Sequence, residues 1–221
     1  MRAVLFIGGD QPDPNSCSPY IGNVDIVVAA DSGFDGARRS GFSVDYVIGD
    51  MDSIADPKVL EDFDDSRVIR WPRDKDYTDT ECALEYLSGK GIIDIVLVGG
   101  TGGRLDHLYA IQHLFTRPVC PWLWVGSETV VVPVGAGCAG NSIRLEGLRV
   151  DNPVSVFPAS NAPLAVTSRG LYWELDSLDW SNGAYSLSNR SVASQAVISV
   201  TQGRFLVMFP LYPSITLVWE G

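Results

Sequence analysis

The 221-residue sequence predicts an α/β fold, with an N-terminal doubly wound, Rossmann-like α/β domain over residues 1–127 and a C-terminal all-β sandwich domain over residues 128–221. Three observations carry this. Short β-branched runs alternate with helical segments up to about residue 126. Aspartates recur where such a run gives way to a loop: Asp31, Asp50 with Asp52, Asp76 with Asp79, and Asp106. After about Glu128 helical spacing disappears and valine, serine, tryptophan and glycine dominate. Alternating strand and helix patterns make a parallel sheet, and closely spaced β runs without helices make a separate β module.

In chain order, Val4–Ile7, Ile26–Ala30, Tyr46–Ile48, Val68–Arg70, Ile95–Val98 and Leu123–Val125 are short apolar runs, most of them bounded by Gly, Asp or Pro. Such runs suit strands buried on both faces. Between them Gly33–Ser40, Pro57–Phe63, Thr80–Ser88 and Arg104–Phe115 carry helix-compatible spacing. In the last, Leu105, Leu108 and Phe115 repeat near the helical period and give one apolar face. Pro133 to Asn141, rich in glycine, is expected as the junction between domains or a loop near it. Ala196–Val200 and Arg204–Phe209 flank Thr201-Gln202-Gly203 and are expected to pair as a hairpin.

With 46% hydrophobic and 19% charged residues the chain can bury a substantial core. A net charge of −11, with no basic stripe, argues against nucleic acid as a partner. It does not argue against a nucleotide, because metal ions can lie between acidic side chains and a polyphosphate. Cys17, Cys82, Cys120 and Cys138 form no C-x-x-C pair and have no zinc spacing with His107 or His113, so reduced cysteines in ordinary packing positions are expected. The opening apolar run breaks at Gly8-Gly9-Asp10 without a cleavage-site pattern, and no stretch approaches a spanning helix. A soluble cytoplasmic protein without membrane partners is the expectation.

In an open α/β sheet, ligands sit beyond the carboxyl ends of the strands. Carboxylates converging there repel one another unless a hard cation lies among them, and Mg²⁺ usually arrives with substrate phosphates. Each aspartate alone could equally cap a helix or turn. Asp50 and Asp52, two apart in an extended stretch, would face one ligand together. Thr78-Asp79-Thr80-Glu81 reads as a capping box, but the preceding Lys75-Asp76 is not needed to start a helix and suits a site handling phosphate and metal. Gly99 to Gly103 would open a helix as an anion cradle, with Arg104 adding a planar fork for phosphate. This is neither a Walker A loop nor the dinucleotide fingerprint. In the β module, Trp173 is either core or an aromatic platform for a flat or cationic ligand, with Ser188 and Asn189 fixing its orientation.

Taken in order, Ala30–Gly33, Gly49–Ser53, Lys75–Asp79, Gly102–His107, Gly170–Trp173 and Ser188-Asn189 resemble the motifs of the thiamine pyrophosphokinase family. The resemblance spans nearly the whole chain. Two positions depart from it: Ser32 replaces a glycine, and Ile111 stands where many members carry asparagine. It implies transfer of diphosphate from ATP to the hydroxyl of thiamine, giving thiamine diphosphate and AMP. It also implies a homodimer with active sites between subunits. Asp50, Asp52 and Asp79 would then bind Mg²⁺, and Asp52, Asp79, Arg104 and Asp106 would carry the catalysis. Asp31, Gly33, Lys75, Asp76, Thr78, Arg104, Asp106 and His107 would line ATP and its diphosphate, and Trp173, Ser188 and Asn189 would hold thiamine. The alternatives are a diphosphokinase for another heterocyclic alcohol such as a pterin, or a metal-dependent nucleotide hydrolase.

Overall fold

A computed structural model of the chain describes residues 1–61, 63–72, 74, 76–161 and 163–220. It divides into two compact units, Met1–Leu114 with Trp124–Ser127, and Phe115–Leu123 with Glu128–Gly221. The chain is mixed α/β, with a parallel sheet in the first unit and antiparallel sheets in the second.

The first unit contains strands β1 (Arg2–Phe6), β2 (Ile26–Ala30), β3 (Tyr46–Gly49), β4 (Val68–Arg70), β5 (Asp94–Val98) and β6 (Leu123–Val125). Their spatial order is β6-β5-β1-β2-β3-β4, and the four resolved pairings from β5 through β4 are parallel. Every residue of β2, and Ala3 to Phe6 of β1, is buried. Runs so apolar are needed where both faces of a sheet are covered. Strand order reverses direction at β1, which makes the ends of β1 and its neighbours the switch point where such sheets open a ligand crevice.

Helices α1 (Pro14–Ile21), α2 (Gly33–Arg39), α3 (Asp79–Gly89) and α4 (Leu105–Leu114) connect these strands. Helix α1 was not expected. Its signals are local: the Asp13 carboxylate accepts from the backbone N–H of Asn15 and Ser16 at 3.1 and 3.0 Å, and Pro14 sits at the first helical position. The helix expected over Pro57–Phe63 is instead a single 3₁₀ turn, Pro57–Leu60, with Asp56 capping it. Its bonds run from Val59 to Asp56 and from Glu61 to Lys58, so the backbone winds too tightly to continue as α.

In the second unit, β7 (Thr129–Gly135), β8 (Ser142–Glu146), β9 (Pro153–Pro158), β10 (Ala165–Arg169), β11 (Ser186–Arg190), β12 (Gln195–Gln202), β13 (Arg204–Pro210) and β14 (Thr216–Glu220) form two sets of antiparallel neighbours. The orders are β11-β9-β13-β7 and β10-β12-β8-β14. This corrects the expected hairpin. β12 is paired on both edges, to β10 and β8, and β13 is paired on both edges within its own set by β7 and β9. Neither has an edge left for the other, and the turn at Gly203 (φ 80°) carries the chain from one sheet to the next. Pro133 lies inside β7 opposite Leu206 rather than in a junction loop. An antiparallel ladder asks only alternate residues to exchange hydrogen bonds with a given neighbour, so one proline fits.

Helix α2 approaches β1 so closely that a Cβ on Gly33 would collide with the backbone of Phe6 and Ile7. Gly89, by contrast, has open space where a Cβ would go. Gly33→Ala should therefore cost about 1–3 kcal/mol of stability, while Gly89→Ala should be neutral or stabilising by about 0.5 kcal/mol. Thermal melting of both variants checks this; equal midpoints would overturn the close-approach account.

Candidate active site

Three aspartates converge at the carboxyl ends of the parallel strands. Asp31 follows β2, Asp50 follows β3, and Asp79 opens α3. One carboxylate oxygen from each lies within 4.8 Å of the others. Gly49 makes room for this, because a Cβ there would press on the Asp79 carboxyl at 3.0 Å and on the Asp31 Cβ at 3.3 Å. Asp79 is fixed by its helix start. The Thr78 hydroxyl oxygen accepts from the Glu81 N–H at 3.2 Å, and Glu81 accepts in return from the Thr78 N–H at 2.8 Å. The capping box and the convergence are thus both present, and they are compatible.

Burial raises the Asp31 carboxyl above its ordinary pKa; hydrogen bonds from Ser53 oppose this, and the nearby Asp79 charge adds to it. Asp31 also has a positive φ of 45°, and Met51, between Asp50 and Asp52, has one of 65°. Such conformations are costly outside glycine and cluster at functional sites. Asp52 is exposed and accepts from the Ser53 hydroxyl at 2.9 Å; the group of three carboxylates contains Asp31 in its place.

Beside these aspartates is a cavity of about 450 Å³ within the first unit. Its lining includes Gly8 and Gly9 after β1, Gly100, Gly102 and Gly103 after β5, and Asp31, Thr78, Asp79, Arg104 and His107. The Gly8-Gly9 turn and Ser53 were not among the expected site residues. Their signal was position alone: Gly8-Gly9 follows the central strand at the switch point. The two turns are tied together, with Asp10 N–H donating to Thr101 O and Gly100 N–H to Gly8 O, both at 2.7 Å. The Thr101 hydroxyl donates to Ser127 Oγ at 2.9 Å, and the Trp124 indole N–H to Gly99 O at 2.7 Å.

Arg104 precedes α4 and is exposed, its guanidinium held by Asp106 through Nε at 3.1 Å and a second nitrogen at 2.5 Å. This bidentate pair holds the Asp106 carboxyl below its ordinary pKa and the guanidinium above its own. Asp106 also accepts from the His107 N–H at 3.1 Å. Asp76 is exposed, Gly33 is buried and serves packing, and Lys75 lies outside the described residues. Ser32 has φ −60°, an ordinary right-handed conformation, so serine is accommodated where a glycine was expected. Ile111 is buried and lines the cavity as an apolar wall.

In the second unit, Trp173 is 55% exposed, which removes the reading of it as core. Its ring meets Tyr172 edge-on at 4.9 Å, and the Arg190 guanidinium lies 4.0 Å from the Tyr172 centroid. Trp180 is the tryptophan that packs inside, against Phe205. The expected Ser188-Asn189 pair divides. Asn189 is fully buried, accepting from the Trp173 N–H at 3.1 Å and donating to Trp173 O at 2.6 Å and to Ser186 Oγ at 3.1 Å. It holds the backbone of the tryptophan. Ser188 is exposed at a register shift in β11, with φ 53°.

The chain shares its architecture with several solved structures. A thiamin pyrophosphokinase family protein from Enterococcus faecalis aligns with a TM-score of 0.72 at 22% identity, covering 95% of this chain and 99% of that one. Thiamine pyrophosphokinase from Bacillus subtilis gives 0.71 at 19%, with 95% and 99% covered, and that from Candida albicans 0.66 at 16%, with 95% and 89% covered. These likenesses carry the fold. No curated protein matches the sequence. Residues 17–120 match the family described as thiamin pyrophosphokinase, catalytic domain, a span that contains Asp31, Asp50, Asp79 and the Gly99–His107 turn. Over those residues, a little under half of its length, the chain is similar to the thiamin pyrophosphokinase catalytic domain.

Proposed function

We propose that the chain is an ATP- and Mg²⁺-dependent thiamine diphosphokinase, and that the first unit is a doubly wound nucleotide-binding domain and the second a β-sandwich that binds thiamine. The observation that carries this is the Asp31–Asp50–Asp79 cluster beside a glycine-walled cavity within the catalytic-domain span. Three carboxylates with only oxygen donors fit a hard cation such as Mg²⁺. Asp31, Asp50 and Asp79 would hold it, and the resemblance assigns Asp52, from the same loop, to that site. When bound, the ion supplies neutralisation of the diphosphate charge.

The chain's own groups do the rest. The backbone turns after β1 and β5 present a fixed wall to the nucleotide, and Thr78, Arg104 and His107 face the same cavity. ATP displaces Asp106 from part of the Arg104 fork, which then meets phosphate oxygens. Lys75, Asp76 and Asp106 belong to this site through the resemblance. Trp173 offers a π face to the thiazolium cation, Ser188 a hydrogen bond at its rim, and Asn189 keeps that tryptophan in place. In the transfer, the thiamine hydroxyl oxygen bonds to the β-phosphorus of ATP as the bond from that phosphorus to the α-phosphate oxygen breaks. The hydroxyl proton is released and AMP leaves. Such transfers depend on positioning and charge stabilisation more than on a strong base.

The assembly in this reading is a homodimer with shared active sites, and the location is the cytoplasm, where free thiols such as these four persist. No helix among the described residues is long and apolar enough to cross a membrane.

Incubation with ATP, Mg²⁺ and thiamine should yield AMP and thiamine diphosphate in equal amounts. ADP alone, or AMP with free pyrophosphate, would refute the assignment. Asp79→Asn should lower kcat by about 10²-fold or more with its fold intact.

Magnesium should also stabilise the protein in a pH-dependent way. The raised Asp31 pKa means the folded carboxyl takes up a proton before an unfolded one does. Its ionised form therefore disfavours folding near neutrality, and the penalty disappears as pH falls through the raised value. Mg²⁺ relieves the same penalty, so its increase in Tm should be largest near neutral pH and shrink toward about pH 4, the ordinary carboxyl range. An Mg²⁺ effect independent of pH would count against the carboxylate site.

Trp173→Ala should raise KM for thiamine about ten- to hundredfold with little change for ATP or in Tm. Asn189→Ala should instead destabilise the fold by about 2 kcal/mol, because it strands buried polar groups. Equal melting of the two variants would contradict this division. Mixing Asp79→Asn chains with Trp173→Ala chains should restore activity after subunit exchange, since each mixed dimer would then hold one intact shared site. No recovery despite verified exchange would confine each site to one chain.

A further inference from the structure

Gln11 is half-buried and follows the Gly8-Gly9 turn that walls the cavity. Its amide nitrogen donates to Ile7 O at 2.8 Å and to Gly9 O at 3.1 Å, the carbonyls at the two ends of that turn. Both donors of one side-chain amide thus serve a single stretch of backbone. The amide oxygen, Oε1, is buried and has no hydrogen-bond partner among the described residues. The reverse orientation would set that oxygen against two carbonyl oxygens, so the amide can point only this way.

Two glycines make room for the side chain. A Cβ on Gly36, in α2, would meet the Gln11 amide carbon at 2.6 Å, and a Cβ on Gly99, after β5, would collide with its amide nitrogen. The amide is therefore wedged between α2, the turn after β1 and the turn after β5. Burying an amide oxygen without a partner is unfavourable, and an apolar side chain of similar length would avoid that penalty. What the glutamine adds in return is its two donors, which set the backbone from Ile7 to Gly9. Gly100 N–H in turn donates to Gly8 O, so the second glycine turn hangs from the backbone that Gln11 holds.

We propose that Gln11 is a positioning residue for the nucleotide, keeping the Gly8-Gly9 turn in register with the turn after β5 so that ATP meets an ordered wall. The proposal rests on the reading of this cavity as the ATP site. Gln11 lies outside the cavity lining, and its effect passes through the Gly9 and Ile7 carbonyls. A wall that the ligand must order weakens binding, whereas a wall already ordered does not. The ordering is needed equally in the ground state and the transition state, so its loss falls on KM for ATP rather than on kcat.

The test compares the wild-type full chain with Gln11→Met, which keeps the length of the side chain and removes both donors and the unpaired oxygen. Its Tm should stay within about 3 °C of wild type. Hydrogen exchange at the Asp10 and Gly100 amides, whose N–H groups join the two turns, should nonetheless be about tenfold faster in the absence of ligand. KM for ATP should rise about tenfold, with far less change in kcat or in KM for thiamine. Gln11→Glu should raise it further, since an ionised carboxylate would face the same two carbonyl oxygens. Unchanged exchange at both amides, a lowered Tm with KM for ATP intact, or a wild-type KM in Gln11→Glu would overturn the proposal. The exchange measurement needs no substrate, so its failure is distinct from failure of the ATP reading, which the wild-type incubation decides.

Discussion

Crowded negative charge at the strand ends is the constraint on which the first unit depends. Asp31, Asp50 and Asp79 place carboxylate oxygens within 4.8 Å of one another. Two unit charges about 4 Å apart repel by about 1 kcal/mol in water and about 4 kcal/mol at an effective dielectric of 20. Nothing in the folding of the chain rewards such an arrangement by itself. It is held because the elements carrying the aspartates are fixed for other reasons: β2 and β3 by burial, and α3 by its capping box. The positive φ values at Asp31 and Met51 are further cost at the same place. Repulsion and backbone strain concentrated at strand ends are costs that a bound cation would relieve, which is the physical basis of the proposed metal site.

The strands that lead to these aspartates were legible in the sequence because their signals are covalently local. β2, β4 and β6 fall on the expected residues, since a short apolar run closed by Asp, Gly or a nearby Pro needs no tertiary information to be seen. The membership of the carboxylate group was less legible. Asp52 was expected beside Asp50 on the two-residue period of an extended stretch, but the chain leaves β3 in a turn with positive φ at Met51, and that period ends with the strand. Asp31 takes the third position through proximity of parallel strands, which no spacing in the sequence displays. The β12–β13 pairing failed for a related reason. Two β runs around a glycine look alike whether they pair with each other or separate into different sheets, and only the partners on both edges decide.

The second unit separates roles that one dipeptide appeared to share. Ser188 and Asn189 are adjacent, yet one is exposed at an irregular register and the other is fully buried. Neighbouring residues of a strand point to opposite faces, and the irregularity here sharpens that division. Asn189 spends its side chain on the backbone of Trp173, so an exposed aromatic is held by a buried amide. An exposed side chain set on a rigid element and supported from behind has less entropy to lose to a ligand, which suits the role proposed for Trp173.

The same logic governs the cavity wall. Glycine-rich turns are often read as flexible, but here backbone hydrogen bonds from Asp10 to Thr101 and from Gly100 to Gly8 join the turns after β1 and β5. Gln11 adds a side-chain amide that donates to Ile7 O at 2.8 Å and Gly9 O at 3.1 Å. Thr101 is held in turn by Ser127, and Gly99 by Trp124. The absence of side chains therefore supplies close approach rather than mobility: a ligand can reach the backbone of a wall that is already fixed. For a reaction dominated by positioning and charge, a wall that need not reorganise contributes directly to the rate. Fixed turns on one side and repelling carboxylates on the other are the two features from which the proposed metal–polyphosphate reading of the site is built.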